Sequence, residues 1–337
     1  MKHKPWIVIV SILVMLGMTI VLFLSWKKET KEPAVLTVNI HYFLYPNTTP
    51  KKFVHDLEKI TGFRHGAIIF LLLKQHPNRK LQVGEYWFAE GSSAEAIVDK
   101  ILNGRVMQHS FTLIEGWTIY QVMDALQQAP VLKHTLTGYS PKAIAKAMQL
   151  NYATPEGLLF PETYYYTWNM TDLSILKRAY QSMQSFTSEA WSQRAGNLPY
   201  QNTYIALIVA SIVQRETGNV PEMPMIAGVI LNRLQANMPL QMDSTVIYGM
   251  LPQFSGKLSH DDLHQKTIYN TYTQKGLPPT PIGMPCAKAI QAALHPTDTD
   301  AWYFVAKGDG AHVFSKTLSE QTAAIMKYQK KAQVSQP

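Results

Sequence analysis

The stretch TYIALIVASIVQRETGNVPEMPMIAGVILNRLQANMPLQMDSTVIYG, residues 203–249, decides the reading of this chain. It opens on an almost unbroken apolar run, Tyr204 to Val213, entered through Asn202 and Thr203, two residue types suited to capping a helix N-terminus. At 100° per residue, Ile205, Val209, Ile212 and Val213 form one stripe with Glu216 in its middle, while Ser211, Gln214 and Arg215 fall on other faces. A carboxylate there has two fates. It turns out to solvent, or it is shielded, and desolvation then raises its pKa toward the range a general acid needs. Gly218 can end this helix and Pro221 can open another over about 222–236, with Ile226, Val229 and Ile230 on one side. A polar, turn-rich segment with Gln241, Asp243, Ser244 and Thr245 follows, on a connection that could border a cleft near Glu216.

Outward from this stretch, the chain of 337 residues is long enough for two domains with cores of their own. Its 46% hydrophobic and 16% charged content describes a folded protein with one unusually apolar part, and that part is at the start. No charged residue occurs between Lys4 and Lys27, and the span Trp6 to Trp26 has the length of a bilayer crossing with an aromatic residue at each edge. FLSWKKE offers no small-x-small cleavage site, so a retained anchor is expected rather than a removed signal peptide. The expected organisation is a cytoplasmic N-terminus (1–5), a transmembrane helix (6–26), a linker (27–35), a membrane-proximal α+β domain (36–112) and a mixed α/β domain (113–337). The fold class is α+β.

In the membrane-proximal part, 36–45 and 81–88 read as strands, and about 50–60, 64–74 and 94–102 as helices. Beyond it, 105–113 reads as a strand and about 115–128, 141–150 and 171–194 as helices. In EGLLFPETYYY (156–166) the aromatics Phe160 and Tyr164 to Tyr166 read as core, and Glu162 as a turn residue or a second carboxylate beside the cleft. SGKLSHDDL (255–263) reads as a loop entering a short helix. YNTYTQKGLPPTPIGMP (269–285) is irregular but stiff backbone, suited to line a groove with Asn270, Thr271 and Tyr272. Residues 286–294 read as a helix, AWYFVAK as a strand, and His312 opens its hairpin partner; a lone histidine there reads as structural. The charged tail from Lys327 is expected to fray.

A family resemblance joins these blocks. ASIVQRET (210–217), IAGVILNRL (226–234) and MPLQMDSTVIYG (238–249) resemble the signature of the endolytic murein transglycosylases, the MltG or YceG-like family. EGLLFPETYYY, YNTY (269–272), GLPPTPIGMP (276–285), AALHP (292–296) and YFVAKGDGAHVFSKTLSE (303–320) are similar to that family's blocks, in its order. The likeness covers about 35–330. Where many members have an acidic residue this chain has Gln214, so the resemblance assigns catalysis to Glu216. It further implies substrate contacts from Asn232, Gln241, Asp243, Thr245, Asn270, Thr271 and Tyr272, and a LysM-like character for 36–112. Its implied reaction is endolytic cleavage of the bond between N-acetylmuramic acid and N-acetylglucosamine within nascent glycan strands. Glu216 would act first as acid, then as base toward the muramyl 6-hydroxyl, leaving 1,6-anhydro ends and terminating strand elongation.

Expected partners are peptidoglycan glycan strands, the cell (inner) membrane through the one N-terminal helix, and cell-wall synthases, with the catalytic part outside the cytoplasm. No cofactor and no metal are expected: there is no HExxH, P-loop, GxSxG or GxGxxG before a helix, and the eleven histidines do not cluster. The net charge of +8 does not point to nucleic acid, because no basic run longer than a pair follows the apolar span. The lone Cys286 precludes an intramolecular disulfide. Two other readings stay open: a muramidase using water with Asp243 or Glu162 as second carboxylate, and a catalytically silent scaffold that binds glycan or synthases.

Overall fold

A computed structural model describes residues 5–31, 36–61, 66–254 and 256–334. Outside them lie 1–4 of the expected cytoplasmic end, 32–35 of the expected linker, 62–65, which include the expected start of the second membrane-proximal helix, and residue 255. The chain clusters into two units, 1–109 with 167–169, and 110–166 with 170–337. The break thus falls at 109/110, against an expected 112/113.

The first unit runs α1 (Pro5–Lys31), β1 (Ile40–Leu44), α2 (Pro50–Thr61), α3 (Gly66–Lys74), β2 (Gly84–Phe88) and α4 (Ala94–Leu102). Within α1, Ile9–Lys28 has a mean hydropathy of 2.5 and none of it is buried inside the protein, so it is long and apolar enough to cross a bilayer core. The strand–helix–helix–strand order is present, with β1 antiparallel to β2 and Ile40 opposite Phe88. Alternation along β1 sends Ile40, Tyr42 and Leu44 inward onto Phe53 and Leu57 of α2 and Ile69 of α3. Ser93 caps α4 by accepting from the Ala96 N–H. Glu85 is buried on β2 between two imidazoles, His41 Nε2 at 2.5 Å and His109 Nε2 at 2.6 Å.

The rest of the chain forms β3 (His109–Thr112), α5 (Ile119–Gln127), α6 (Pro141–Met148), β4 (Thr163–Tyr166), α7 (Asp172–Ser192), α8 (Thr203–Glu216), a 3-10 turn (Val220–Glu222), α9 (Met223–Gln235), α10 (Asp243–Gly249), α11 (His260–His264), α12 (Ala287–Leu294), β5 (Tyr303–Ala306), β6 (His312–Ser315) and α13 (Leu318–Val334). The helix α13 covers 327–334 of the expected frayed tail, and 335–337 lie outside the described residues.

One core of the second unit lies under the β3–β4 pair and α5, α6 and α7; the other surrounds α8, packed on α7, α9 and α12. Tyr164 and Tyr166 are core residues as expected, whereas Tyr165 faces solvent. Asn202 Oδ1 accepts from the Ile205 N–H and starts α8. Every residue from Ala206 to Val213 is buried, so α8 is enclosed on all sides and the single inward stripe read from the sequence is corrected. Even Ser211 is inside, where its hydroxyl receives the Ile282 N–H at 3.0 Å and pins the proline-rich segment across the helix. Gly228 of α9 is a close-approach site, because a Cβ there would lie 2.3 Å from the Thr297 carbonyl oxygen.

Candidate active site

Burial of α8 ends at Val213, and the chain turns extended at Thr217, which leaves Glu216 on the helix's last position and only partly exposed. Its Oε1 accepts from the Ser244 hydroxyl at 2.5 Å. The carboxyl pKa is raised. Burial is the main cause; the Ser244 hydroxyl opposes it, the Asp243 charge adds to it, and the charge of His312 and the Ser244 N–H oppose it. Asp243 and Gln241 beside it are exposed, so a solute can reach this carboxyl. A shielded acid, reachable and held by one short hydrogen bond, has the properties of a proton donor that must later take a proton back.

Asp243 and Ser244 open α10, and the position of that helix is set from below. The Thr245 hydroxyl donates to the Met242 carbonyl at 2.7 Å and meets the Thr271 hydroxyl at 2.9 Å, which in turn receives the Met242 N–H at 3.0 Å. Asn270 is wholly buried; its amide nitrogen donates to the carbonyls of Asp262, Leu263 and Gln265, and its oxygen receives the Tyr272 N–H. Thr245, Asn270 and Thr271, expected to touch substrate, are thus turned into the chain in this structure. Their polar atoms are buried and spent on the chain itself, and they shape the floor under α10.

Asn232 is likewise turned to the chain, donating from its amide to the carbonyls of Thr299 and Ala301 at 2.8 and 3.0 Å. Next to it, Arg233 donates to the Trp302 carbonyl at 2.7 Å and to the Leu240 carbonyl at 2.6 Å. These two residues tie the β5–β6 hairpin and the approach to α10 onto α9. Of the expected contact residues, Gln241, Asp243 and Tyr272 keep an open face. Tyr272 donates to Asp243 Oδ1 at 2.5 Å; burial, and then that hydrogen bond, push its phenol pKa upward.

Three features escaped the sequence reading. Ser244 stands among the polar residues there without a role, yet it holds Glu216. His312 reads as lone, yet its Nδ1 lies 2.8 Å from Glu222 Oε2 and its backbone N–H donates to Glu222 Oε1 at 3.0 Å. Glu156 reads only as part of a block, yet it is fully buried, accepts from the Ile119 N–H and the Tyr248 hydroxyl, and is pushed up to about 8, mainly by burial. Glu162, the other carboxylate considered, is exposed at the start of β4. Gln214 receives the Cys286 N–H at 3.1 Å and so serves the start of α12. Among the described residues no cluster of histidine, cysteine or carboxylate side chains is arranged to hold a metal.

Comparison with known proteins gives the chain its family. A relative from Bacillus subtilis, an endolytic murein transglycosylase, is 31% identical over 272 residues, which are 73% of this chain and 73% of its own length. A Streptococcus pneumoniae protein of the same name is 28% identical over 284 residues, 74% of this chain, although the chain spans only 51% of that longer relative. The crystal structure of a YceG-like protein from Listeria monocytogenes superposes with a TM-score of 0.54 at 25% identity, covering 85% of this chain and 98% of its own. The YceG-like family model matches residues 43–327, which include both arms of the Glu216–Ser244 contact, and the chain belongs to that family.

Proposed function

We propose that this protein is an endolytic murein transglycosylase that cuts glycan strands internally and leaves a 1,6-anhydro end. The observation that carries the reading is Glu216, a shielded and reachable helix-end carboxyl with a raised pKa, fastened by Ser244. In its neutral form Glu216 donates a proton to the glycosidic oxygen, and the bond from that oxygen to the muramyl anomeric carbon breaks. The muramyl 6-hydroxyl oxygen then bonds to the same carbon and releases its proton to the Glu216 carboxylate. The acid is regenerated and no water is consumed. An internal nucleophile is already positioned, so one carboxylate suffices where ordinary glycosidases use two. Asp243, oriented by Tyr272, favours the neutral form of Glu216 before the first transfer.

In the same reading α1 is a single-pass anchor in the cell membrane with its N-terminus in the cytoplasm and the two units outside. The strand–helix–helix–strand unit is a LysM-like module beside the glycan, and cleavage terminates strand elongation, with cell-wall synthases as neighbours. The test is mass analysis after the detergent-solubilised full chain meets glycan strands. Fragments whose masses sum to that of the parent strand, with anhydro ends, are expected. Fragments that have gained one water at each break would replace this route by hydrolysis. Intact strands would leave a scaffold.

A further inference from the structure

The small sheet of the first unit has an open edge. Among the described residues β1 has β2 on one side and no strand on the other. Which of its backbone groups are left over follows from β2. Glu85, opposite Phe43, gives its carbonyl to the Met107 N–H at 2.7 Å, and the carbonyl of Trp87, opposite His41, accepts from Lys100 Nζ at 2.6 Å. Both carbonyls thus point away from β1. In an antiparallel ladder each residue turns its N–H and C=O to one side and its neighbours turn theirs to the other. The Phe43–Glu85 and His41–Trp87 pairs are therefore the ones without hydrogen bonds between them. The N–H and C=O of both His41 and Phe43 face the open side, where no described residue meets them. Burial agrees. Ile40, Tyr42 and Leu44, which turn toward β2, are 2%, 6% and 1% exposed, whereas His41 is exposed and Phe43 half-buried.

A groove of about 650 Å³ runs along this edge. It touches His41 and Phe43, which project from one face of the sheet, and Tyr42, which projects from the other, so it lies beside the strand and not over one face. Its far wall is α2, with Lys52, Asp56, Lys59 and Ile60. Lys52 reaches Asp56 at 3.1 Å and Asp56 also accepts from the Tyr42 hydroxyl, which leaves Lys59 as the cation of this wall without a partner among the described residues. On the other face the rings stand edge to face, His41 to Phe43 at 60° and Tyr45 to Trp168 at 87°, and so offer no flat platform on which a sugar could stack. The strand itself, IHYFL, has none of the lysines or prolines that guard an open edge. An open backbone edge beside a helix is the arrangement that takes up an extended peptide as an added strand: main-chain hydrogen bonds hold it and alternate side chains select it.

We infer that the open edge of β1 binds an extended segment of a partner protein as a third strand, with acidic side chains toward Lys59 and apolar ones toward Phe43. The five residues of β1 span about 17 Å at ~3.4 Å per residue, the length of a short peptide. Partner residues that bond to His41 and Phe43 lie directly opposite them and send their side chains to the same face, onto the rings. The residues between them point to the face of Tyr42 and meet α2, where Lys59 favours a carboxylate. An alternation of acidic and apolar residues follows. A second copy of β1 fits less well, because two-fold pairing would set two α2 walls on one face, each with its own unpaired lysine. This surface is independent of the reaction proposed at Glu216.

The test uses the detergent-solubilised full chain and a fluorescein-labelled hexapeptide of alternating glutamate and valine. Saturable binding by fluorescence anisotropy is expected, with slower amide hydrogen exchange at His41 and Phe43. N-methylation of the valines removes the N–H groups that face β1 and keeps every side chain. It should weaken binding about tenfold or more, the effect of losing two backbone hydrogen bonds. Lys59→Glu, a change at an exposed position, should weaken binding about fivefold while the circular dichroism spectrum stays in place. The N-methylated peptide is tested on the unchanged chain, so the answer does not depend on how a variant folds. Absent binding, binding that N-methylation or Lys59→Glu leaves unchanged, or protection confined to other amides would overturn the proposal. Glycan strands stripped of their peptides that slow exchange at His41 and Phe43, where the hexapeptide does not, would make this a sugar site instead. A dimer that forms without peptide and protects the same two amides would replace the partner by a second copy of the chain.

Discussion

A glutamate in the last turn of a helix usually faces water, and the physical question at residue scale is what keeps Glu216 from behaving so. Burial raises its pKa, and the short Ser244 hydrogen bond holds the carboxyl in one orientation. Glutamine has nearly the same shape and cannot exchange a proton. Glu216→Gln should therefore fold with an unchanged circular dichroism spectrum and lose activity by a factor of about 10⁴ or more, the upper end for general acid–base catalysis. Asp243 acts on Glu216 by charge. Asp243→Asn keeps an acceptor for the Tyr272 hydroxyl but removes the negative neighbour, so the Glu216 pKa falls. The alkaline limb, which marks loss of the protonated acid, should then move to lower pH. A rate profile that moves upward, or not at all, would contradict the assigned roles.

At the scale of elements, α10 and the 269–285 segment act together. The start of α10 rests on Thr271, and the turn holding Thr271 rests on Asn270, whose amide closes three carbonyls of the preceding chain. Asn270→Ala would leave those buried carbonyls short of donors, at about 1–3 kcal/mol for each group left unsatisfied. The expected outcome is a lowered Tm and a fall in activity that follows the unfolded fraction, with KM for the remaining active enzyme unchanged. A variant of normal Tm with a raised KM would restore Asn270 to the substrate-contact set. How α8 meets its neighbours is also an element-scale matter. Its local cap at Asn202 is readable from residue types, but its enclosure by α7, α9 and α12 is not, because an apolar run reads the same whether one face or all faces are covered.

Over the whole molecule, two features govern stability and placement. Glu156 lies fully buried between the start of α5 and Tyr248 of α10, with its Oε1 without a hydrogen-bond partner among the described residues. Its pKa stands at about 8 in the fold against an ordinary carboxyl value of 4.5, so the folded state holds this proton more tightly than the unfolded chain does. The contribution is fully present below pH 4.5 and is lost as pH rises through 8, at about 1.4 kcal/mol per pH unit between the two values. Glutamine mimics the protonated acid at every pH. Relative to its own Tm below pH 4.5, the parent should lose ground to Glu156→Gln progressively as pH rises from 4.5 to about 8, with the gap constant above that; parallel Tm curves would show that Glu156 is not the titrating group. The second feature is α1, the anchor in the proposed function, whose flank FLSWKKE offers no small-x-small sequence. Mature protein should keep its N-terminus and stay with the membrane through a carbonate wash, and a mature end beyond residue 26 would remove the anchor.

The order of elements is legible in the sequence because its causes are local. Caps such as Asn202 and Ser93 and the alternation along β1 act over a few residues and read directly. The uncharged N-terminal span and the position of Glu216 at a helix end read equally well. What the tertiary structure alone decided is which polar groups meet: Glu216 with Ser244 across 28 residues, Gln214 with the Cys286 N–H across 72, Glu222 with His312 across 90 and Glu156 with Tyr248 across 92. It also decided which polar residues turn inward, burying Asn270, Thr271 and Thr245 and giving His312 a partner. A hydrogen bond needs donor and acceptor within about 3 Å, and pairs this far apart in the chain are brought to that distance only by the packing of helices such as α8, α9 and α12 around one another.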